Sequence, residues 1–357
     1  MRTRIDAWLQ GATEVSIRDI ASARYLIEAR ADSPVRFAPV IADSFRDPAV
    51  RADFQRNPGT ADVESFDLYD VVLAAERLIL FHNGGRIKET RYIVDDHDYW
   101  RAPPTPRDVH KTDAGKTVVI GCNLAYRNYY HWLMQCLPAI DHSIRTVGAA
   151  NCILALPRLA GWQEETLATL GYAGIPRIEI ESDCHYHFQR AHYCTYLNGT
   201  AEDFLSPGCL NVLDRLAAPI APLPDAPERL YVARLDTTNR VIRNEEEVRQ
   251  LLEGMGFTTI VPGYFSFDTQ ISLFKSARIV VGAHGAGMTN VAFCAPETIV
   301  LELIQSTYPV LMMNRIAQAS QLRYHAECFQ CESGYDVHQQ DWLINIEQLE
   351  TKLRTLL

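Results

Sequence analysis

"RIVVGAHGAGMTNVAFCAPETIVLELI" runs from Arg278 to Ile304. It opens on "RIVVG" and closes on "TIVLELI". Both are short apolar runs rich in β-branched residues, the pattern of strands buried on both faces. Between them lie Gly282, Gly285 and Gly287, with His284 among them and Thr289-Asn290 beyond. "TNVAFC" then reads as a short helix. Strand, glycine turn, helix and strand together make one βαβ step.

The same alternation extends in both directions. Upstream, "RLYVARL" is a strand and "NEEEVRQLLEGMGF" a helix. Val248, Leu251, Leu252 and Met255 fall at helical spacing. Asn244 stands at the cap, Glu247 completes a capping-box-like start, and Gly256 is a natural stop. "FTTIV" is a strand, and "SFDTQISLFKSA" is a helix capped by Ser266. Downstream, "YPVLMMNRIAQAS" reads as a helix. Strands alternating with helices imply a parallel, doubly wound sheet.

The first half is less regular. "DLYDVVLAAERLILFHNGGRIKETRYIV" reads as consecutive strands with a turn at Asn83-Gly84-Gly85. "KTVVIGCN" is a strand, "YYHWLMQCLPAIDHSI" a helix, "CILALP" a strand and "GWQEETLATLGY" a helix ending at Gly171. The expectation is an α/β core with an extra β-rich N-terminal region. The clearest composition shift is "AAPIAPLPDAPERL", Ala217 to Leu230, whose four prolines oppose both helix and central strand. The expected division is therefore 1–216 as N-terminal domain, 217–228 as linker and 229–357 as C-terminal domain. The last helix is a candidate to pack back onto the N-terminal domain. Two such domains place a ligand crevice at the carboxyl ends of their strands.

The chain has 357 residues and a formal net charge of -10. That acidity opposes nucleic-acid binding and non-specific attraction to anionic lipid. Nine cysteines, an odd number mostly in apolar contexts, suggest reduced and buried thiols. The start has no apolar signal region, and no run of 18 apolar residues occurs. The expected location is the cytoplasm, compatible with peripheral attachment to the inner face of a membrane.

Three constellations carry candidate chemistry. Glycines let a backbone approach phosphate closely, and free N–H groups at a helix start face it. Gly285, Ala286 and Gly287 fit that description, with Thr289 and Asn290 as caps or donors; a plain strand-to-helix turn is the competing reading. The spacing is not G-x-G-x-x-G, which argues against a dinucleotide enzyme. "YVARLDTTNRVIRNE" brings Arg234, Arg240 and Arg243 to the end of a strand, where guanidinium forks suit diphosphate oxygens; a solvated basic loop is the alternative. "NYYHWLMQCLP" sets His131 at a helix start, flanked by Asn128, Tyr130 and Trp132. A histidine near pKa 6.5 is a workable general base, although a bonded core histidine is the commoner case. Glu302, alone in an apolar strand, needs a partner and is a candidate for a ribose diol. His185, His187 and His192 lack finger-type ligand spacing, and Cys328-x-x-Cys331 is one lone pair, so no metal site is expected.

Taken together and in order, these segments resemble glycosyltransferase family 61, many of whose bacterial members are labelled capsular polysaccharide biosynthesis proteins. The resemblance is densest over Gly121 to Ala139 and Arg229 to Ile304. It implies a GT-B architecture of two Rossmann-like domains facing across a cleft. It implies inverting transfer from a nucleotide-sugar, usually UDP-linked, to a glycan or glycolipid acceptor in capsule, exopolysaccharide or lipopolysaccharide synthesis. No tightly bound cofactor or metal is implied, and no Asp-x-Asp motif occurs in the donor half. On this reading His131 is the base. Arg234, Arg240, His284, Gly285, Ala286, Gly287, Thr289, Asn290 and Glu302 hold the donor, and Asn128, Tyr130 and Trp132 line the acceptor side. The sequence departs from the family at Gln135, where an acid is frequent, at Ala139 and Leu235, where arginines are, and at Pro296-Glu297. Those departures keep a second reading open: an inactive scaffold of the same fold that binds nucleotide or glycan.

Overall fold

The computed structural model describes residues 13–31, 35–91, 104–105, 107–112, 115–198, 204–331 and 339–357. The chain forms two compact units, Met1–Ala31 with Thr60–Val212, and Asp32–Gly59 with Leu213–Leu357. The described strands in the first half are β1 (Glu14–Val15), β2 (Ala23–Glu28), β3 (Val40–Ile41), β4 (Val63–Ala74), β5 (Ile79–His82), β6 (Gly85–Ile87), β7 (Val109–Thr112) and β8 (Thr117–Ile120). Then come β9 (Cys152–Pro157), β10 (Arg177–Ile180), β11 (His185–Cys194), β12 (Arg229–Val232), β13 (Thr258–Ile260), β14 (Ile279–Ala283), β15 (Ile299–Gln305) and β16 (Arg323–Phe329).

In the N-terminal unit one sheet has the order β1-β6-β5-β4-β11-β8-β9-β10, with β2 also on β4 and β7 on β11. Its two halves differ. β11, β8, β9 and β10 are parallel, and β9 is buried along its whole length, as expected for a strand covered on both faces. β2, β4, β5 and β6 are antiparallel, which accounts for the β-rich start. Asn83 and Gly84 both take positive φ between β5 and β6, the backbone a two-residue hairpin needs. The end of that stretch, residues 92–94, lies outside the described residues. Asp70, with φ +50, stands opposite Gln189, where the β4–β11 ladder skips a pair.

After β8 the chain enters a helical run. Tyr129–His131 is one turn, Trp132–Cys136 is π-helical, and α1 follows at Leu137–Val147. Pro138 has no N–H to give the carbonyl of Met134, four residues back. That carbonyl instead accepts the Cys209 thiol at 3.7 Å. α1 presses on the end of β8: a Cβ added at Gly121 would lie 2.5 Å from Cγ1 of Ile140. Two more helices follow, α2 (Gly161–Thr169) and α3 (Pro207–Ala217), and the division between the units falls within α3.

The C-terminal unit is a six-stranded sheet, β13-β12-β14-β15-β16-β3, parallel throughout. Its helices are α4 (Glu245–Gly254), α5 (Phe267–Ser276), α6 (Met312–Ala319) and α7 (Ile346–Leu356). Gly256 stops α4 with φ +82, and Ser266 caps α5 by accepting from the Thr269 N–H at 3.2 Å. Asn244 makes no cap bond. Its amide is engaged by Ile344, accepting from that N–H at 3.0 Å and donating to that carbonyl at 2.8 Å. The last helix, expected to return to the N-terminal domain, buries Leu349 and Leu353 in the core of its own unit with Val248 and Leu252 of α4. An unforeseen element is the stretch Asp32–Gly59. It supplies edge strand β3 and an additional helix, Pro48–Gln55, whose Phe54 carbonyl accepts from Asn314 of α6 at 3.1 Å. Among the described residues no helix is long and apolar enough to cross a membrane.

Candidate functional site

In the C-terminal sheet β12 leads outward to β13, and the chain then crosses back to β14 on the other side of β12. The β12/β14 boundary is thus a topological switch point, where doubly wound sheets bind ligands beyond their strand ends. Two loops emerge there. Ala233-Arg234 follows β12, and His284-Gly285 follows β14.

Arg234 ties the two loops together. Nη1 donates to the carbonyl of His284 and Nη2 to that of Asn239, both at 2.8 Å. Gly285 makes this approach available, because a Cβ there would lie 1.7 Å from Arg234 Nη1. Arg234 Nε is buried and has no acceptor among the described residues. Burial, then the nearby charge of Arg240, brings this guanidinium down to about 10, which leaves it cationic at neutral pH. Arg240 lies over the ring of Tyr308, 4.6 Å from its centroid. Its own backbone is left-handed at φ +53, a costly state for a non-glycine residue. The segment at Trp342 holds it there. The Trp342 indole donates to the Arg240 carbonyl at 3.1 Å, and its backbone bonds Val241 and Arg243.

His284 is oriented from behind. Nδ1 lies 2.7 Å from Oε1 of Glu302, and the hydroxyl of Tyr324 donates to Oε2. The carboxylate engages Nδ1, so Nε2 is the nitrogen left to meet a ligand. The Tyr308 ring packs edge-on at 5.6 Å. Glu302 is fully buried with its carboxylate engaged by these two partners. It is a support for His284, which corrects the expectation that it meets a ribose. A second correction concerns the loop helix. It is a 3₁₀ helix, Ala286–Phe293, so it begins three residues before Thr289. The leading N–H groups of such a helix have no partner within it, and here they belong to the half-exposed Ala286 and Gly287. Thr289 and Asn290 sit inside and are buried. Asn290 donates to Oε1 of Gln270 at 2.9 Å and to the carbonyl of Gly287 at 3.2 Å. Asn290 braces the loop rather than capping it, and the buried Thr289 hydroxyl has no partner among the described residues.

In the N-terminal unit His131 is also buried. Its Nδ1 lies 2.9 Å from Oε1 of Gln135, which accepts at 2.8 Å from Asn123. Nδ1 therefore carries the proton and Nε2 is the basic nitrogen. Burial, partly offset by Gln135, lowers His131 to about 4, so the expected pKa near 6.5 is corrected. The proposed acceptor residues divide. Trp132 has no exposed surface and donates to Thr166 at 3.0 Å, so it belongs to the core. Tyr130 is buried, and its hydroxyl accepts from Asn198 at 3.2 Å. Asn128 is exposed and caps the helical run, accepting from the Tyr130 N–H at 2.9 Å.

Residues 129–301 match the family model Glycosyltransferase 61. This span, just under half of the chain, takes in His131, Arg234, Arg240 and the glycine loop, and ends one residue before Glu302. The chain is similar to a beta-1,2-xylosyltransferase of Oryza sativa subsp. japonica, 33% identical over 93 residues, which are 24% of this chain and 17% of that protein. It is also similar to a beta-1,2-xylosyltransferase of Arabidopsis thaliana, 29% identical over 73 residues, 20% of this chain and 14% of that protein. The matched stretches thus cover less than a fifth of either relative's length.

Within the Glycosyltransferase 61 span and just beyond it, sequence reasoning passed over Tyr308 and Tyr324. Neither carries a local signal, since only the β15–β16 register brings Tyr324 to Glu302. The histidines of β11 are engaged by protein groups: His185 bonds the Thr105 carbonyl at 2.8 Å, and His192 pairs with Asp67 at 2.7 Å. All nine cysteines are free thiols, and burial pushes Cys328 up to about 12.

Proposed function

We propose that this protein is an inverting glycosyltransferase that moves a sugar, with a pentose such as xylose the first candidate, from a UDP-linked donor to a hydroxyl of a glycan or glycoconjugate. One observation carries the reading. Two guanidiniums, the leading N–H groups of a 3₁₀ helix and an oriented histidine converge at the switch point of a parallel sheet. Such a set suits the charge that develops on a departing diphosphate. The names of the relatives support transfer of a pentose. They say nothing of a capsule or lipopolysaccharide, so the proposal stops at a glycan hydroxyl.

In this reading the protein has the GT-B form, with the donor on the C-terminal unit and the acceptor on the N-terminal one. The acceptor oxygen attacks the anomeric carbon as the bond to the diphosphate breaks. Its proton passes to Nε2 of His131, whose Nδ1–H stays on Gln135. Arg234, Arg240 and the N–H groups of Ala286 and Gly287 take up the negative charge, and His284 bonds a phosphate or the sugar. No metal is required.

A thermal-shift screen of UDP, UDP-xylose and other nucleotide-sugars tests the donor assignment. Ligand at a hundred times its Kd stabilises by about 2.7 kcal/mol, so a clear rise in Tm with UDP-linked compounds is expected. A response to NADH alone would overturn the reading. The low basicity of His131 beside a neutral Gln135 favours a second reading, a binding scaffold. That reading gains if UDP stabilises the protein and no donor of the panel is transferred or hydrolysed.

A further inference from the structure

A cavity of about 510 Å³ opens in the N-terminal unit at the carboxyl ends of β9 and β10, whose last residues Pro157 and Ile180 line it. Its other walls are the β4–β5 turn, the segment Glu179–Asp183, and Leu124, Tyr126 and Arg127 of the loop after β8. We propose that this cavity holds the acceptor, and that the acceptor is a neutral or amino-bearing sugar rather than an anionic one. The inference rests on the transferase reading above.

Three observations support it. The volume falls in the range of small-molecule sites, and the cavity lies beyond the carboxyl ends of parallel strands, the side on which α/β sheets bind ligands. The lining also has the two components a sugar needs. Leu78, Leu124 and Ile180 offer apolar surface, and Glu179, Glu181 and Asp183 offer acceptors for hydroxyl groups. Glu76 is already paired with Arg77 and Arg107, which leaves Glu179, Glu181 and Asp183 against Arg127 and Arg158 among the lining residues. The surplus repels uronic acids and phosphosugars and tolerates an ammonium.

The third observation is continuity with His131. Arg127 precedes it by four residues, so their Cα atoms are at most about 14 Å apart. The loop between is fixed at both ends. The Tyr126 carbonyl accepts from Gln163 at 2.8 Å, and Asn128 caps the helix that carries His131. The buried Tyr130 and Trp132 leave the acceptor no comparable site on that helix.

The test uses the full chain with labelled leucine and isoleucine methyls. Methyl glycosides of xylose, glucose, galactose, N-acetylglucosamine, glucosamine and glucuronic acid are titrated and the spectra followed. At least one neutral or amino glycoside should shift the Leu78, Leu124 and Ile180 signals saturably, and the glucuronide should not. In the variant Glu181→Gln, Asp183→Asn, which alters only exposed side chains, that binding should weaken at least fivefold while the response to UDP is unchanged. The inference is overturned if none of the panel moves these methyls, if the variant binds as tightly as the wild type, or if the glucuronide binds as well as the neutral sugars. Failure of the transferase reading shows separately, as loss of any UDP response in the wild type.

Discussion

Nδ1 of His284 and Oε1 of Glu302 are 2.7 Å apart, and the Tyr324 hydroxyl closes the far side of the same carboxylate. A polar chain thus runs from the interior of the β15–β16 pair to the glycine loop. A buried carboxylate that loses one partner costs about 1–3 kcal/mol. Tyr324→Phe should lower stability by about that amount in urea unfolding and weaken UDP binding only slightly. Glu302→Gln should weaken the UDP-dependent rise in Tm markedly, because the carboxylate that orients His284 is removed. Equal UDP affinities in wild type and Glu302→Gln would remove this support role.

Gly285→Ala separates the loop's shape from its packing. The backbone at 285 is extended, with φ 170, which any residue adopts. The new Cβ would meet Arg234, so the bond to the His284 carbonyl must break. Circular dichroism and Tm should stay close to wild type while the Kd for UDP rises tenfold or more, about 1.4 kcal/mol. An unchanged Kd would mean that Arg234 takes no part in donor binding.

The low pKa of His131, about 4, has a consequence for stability. The unfolded chain takes up this proton near pH 6.5 and the folded one only near 4. The contribution is therefore complete above pH 6.5 and is lost as pH falls from there towards 4. On going from pH 7 to 5 the wild type should lose about 2 kcal/mol more than His131→Gln, on the order given by proton linkage. Parallel urea midpoints in the two proteins would contradict the depressed pKa. If His131 is the base, kcat/KM should also stay flat from pH 8 down to 5.5. An acid limb centred near 6.5 would point to another group.

Asn244→Ala should release the segment around Trp342 that clamps the arginine loop. Two hydrogen bonds to Ile344 are lost, each worth about 0.5–1.5 kcal/mol. Limited proteolysis near residues 339–345 should accelerate, and UDP affinity should fall because Arg240 loses its backbone support. A variant cleaved no faster than wild type would show that the clamp stands without Asn244.

What the sequence made legible was local. Residues 229–304 announced their strands and helices because each apolar run, cap and glycine stop acts within a few positions. The glycine loop and the two arginines came forward for the same reason. Partnerships set by the sheet did not. Tyr324 meets Glu302 only through strand register, and Asn244, placed as a cap by its position, is drawn off by Ile344 a hundred residues away. Burial was the other hidden quantity. Tyr130 and Trp132, expected to line the acceptor side, are buried, and the same burial deprives the His131 imidazole of water and lowers its basicity.

The parallel sheet of the C-terminal unit ends on a strand from near the start of the chain. Asn314 reaches the Phe54 carbonyl across 260 positions, and Arg315 donates to the carbonyls of Asp53 and Arg56. During synthesis, residues 40–56 leave the ribosome long before β16 and α6 exist to receive them. They must wait, exposed, while β4 to β11 of the N-terminal sheet are made. Contacts of such sequence separation slow folding and lengthen the period in which aggregation competes. A fragment beginning at residue 213 would carry β16 as a bare edge and leave buried polar groups of α6 without the carbonyls they bond. Yield of that fragment should recover when residues 35–59 are supplied as a separate peptide.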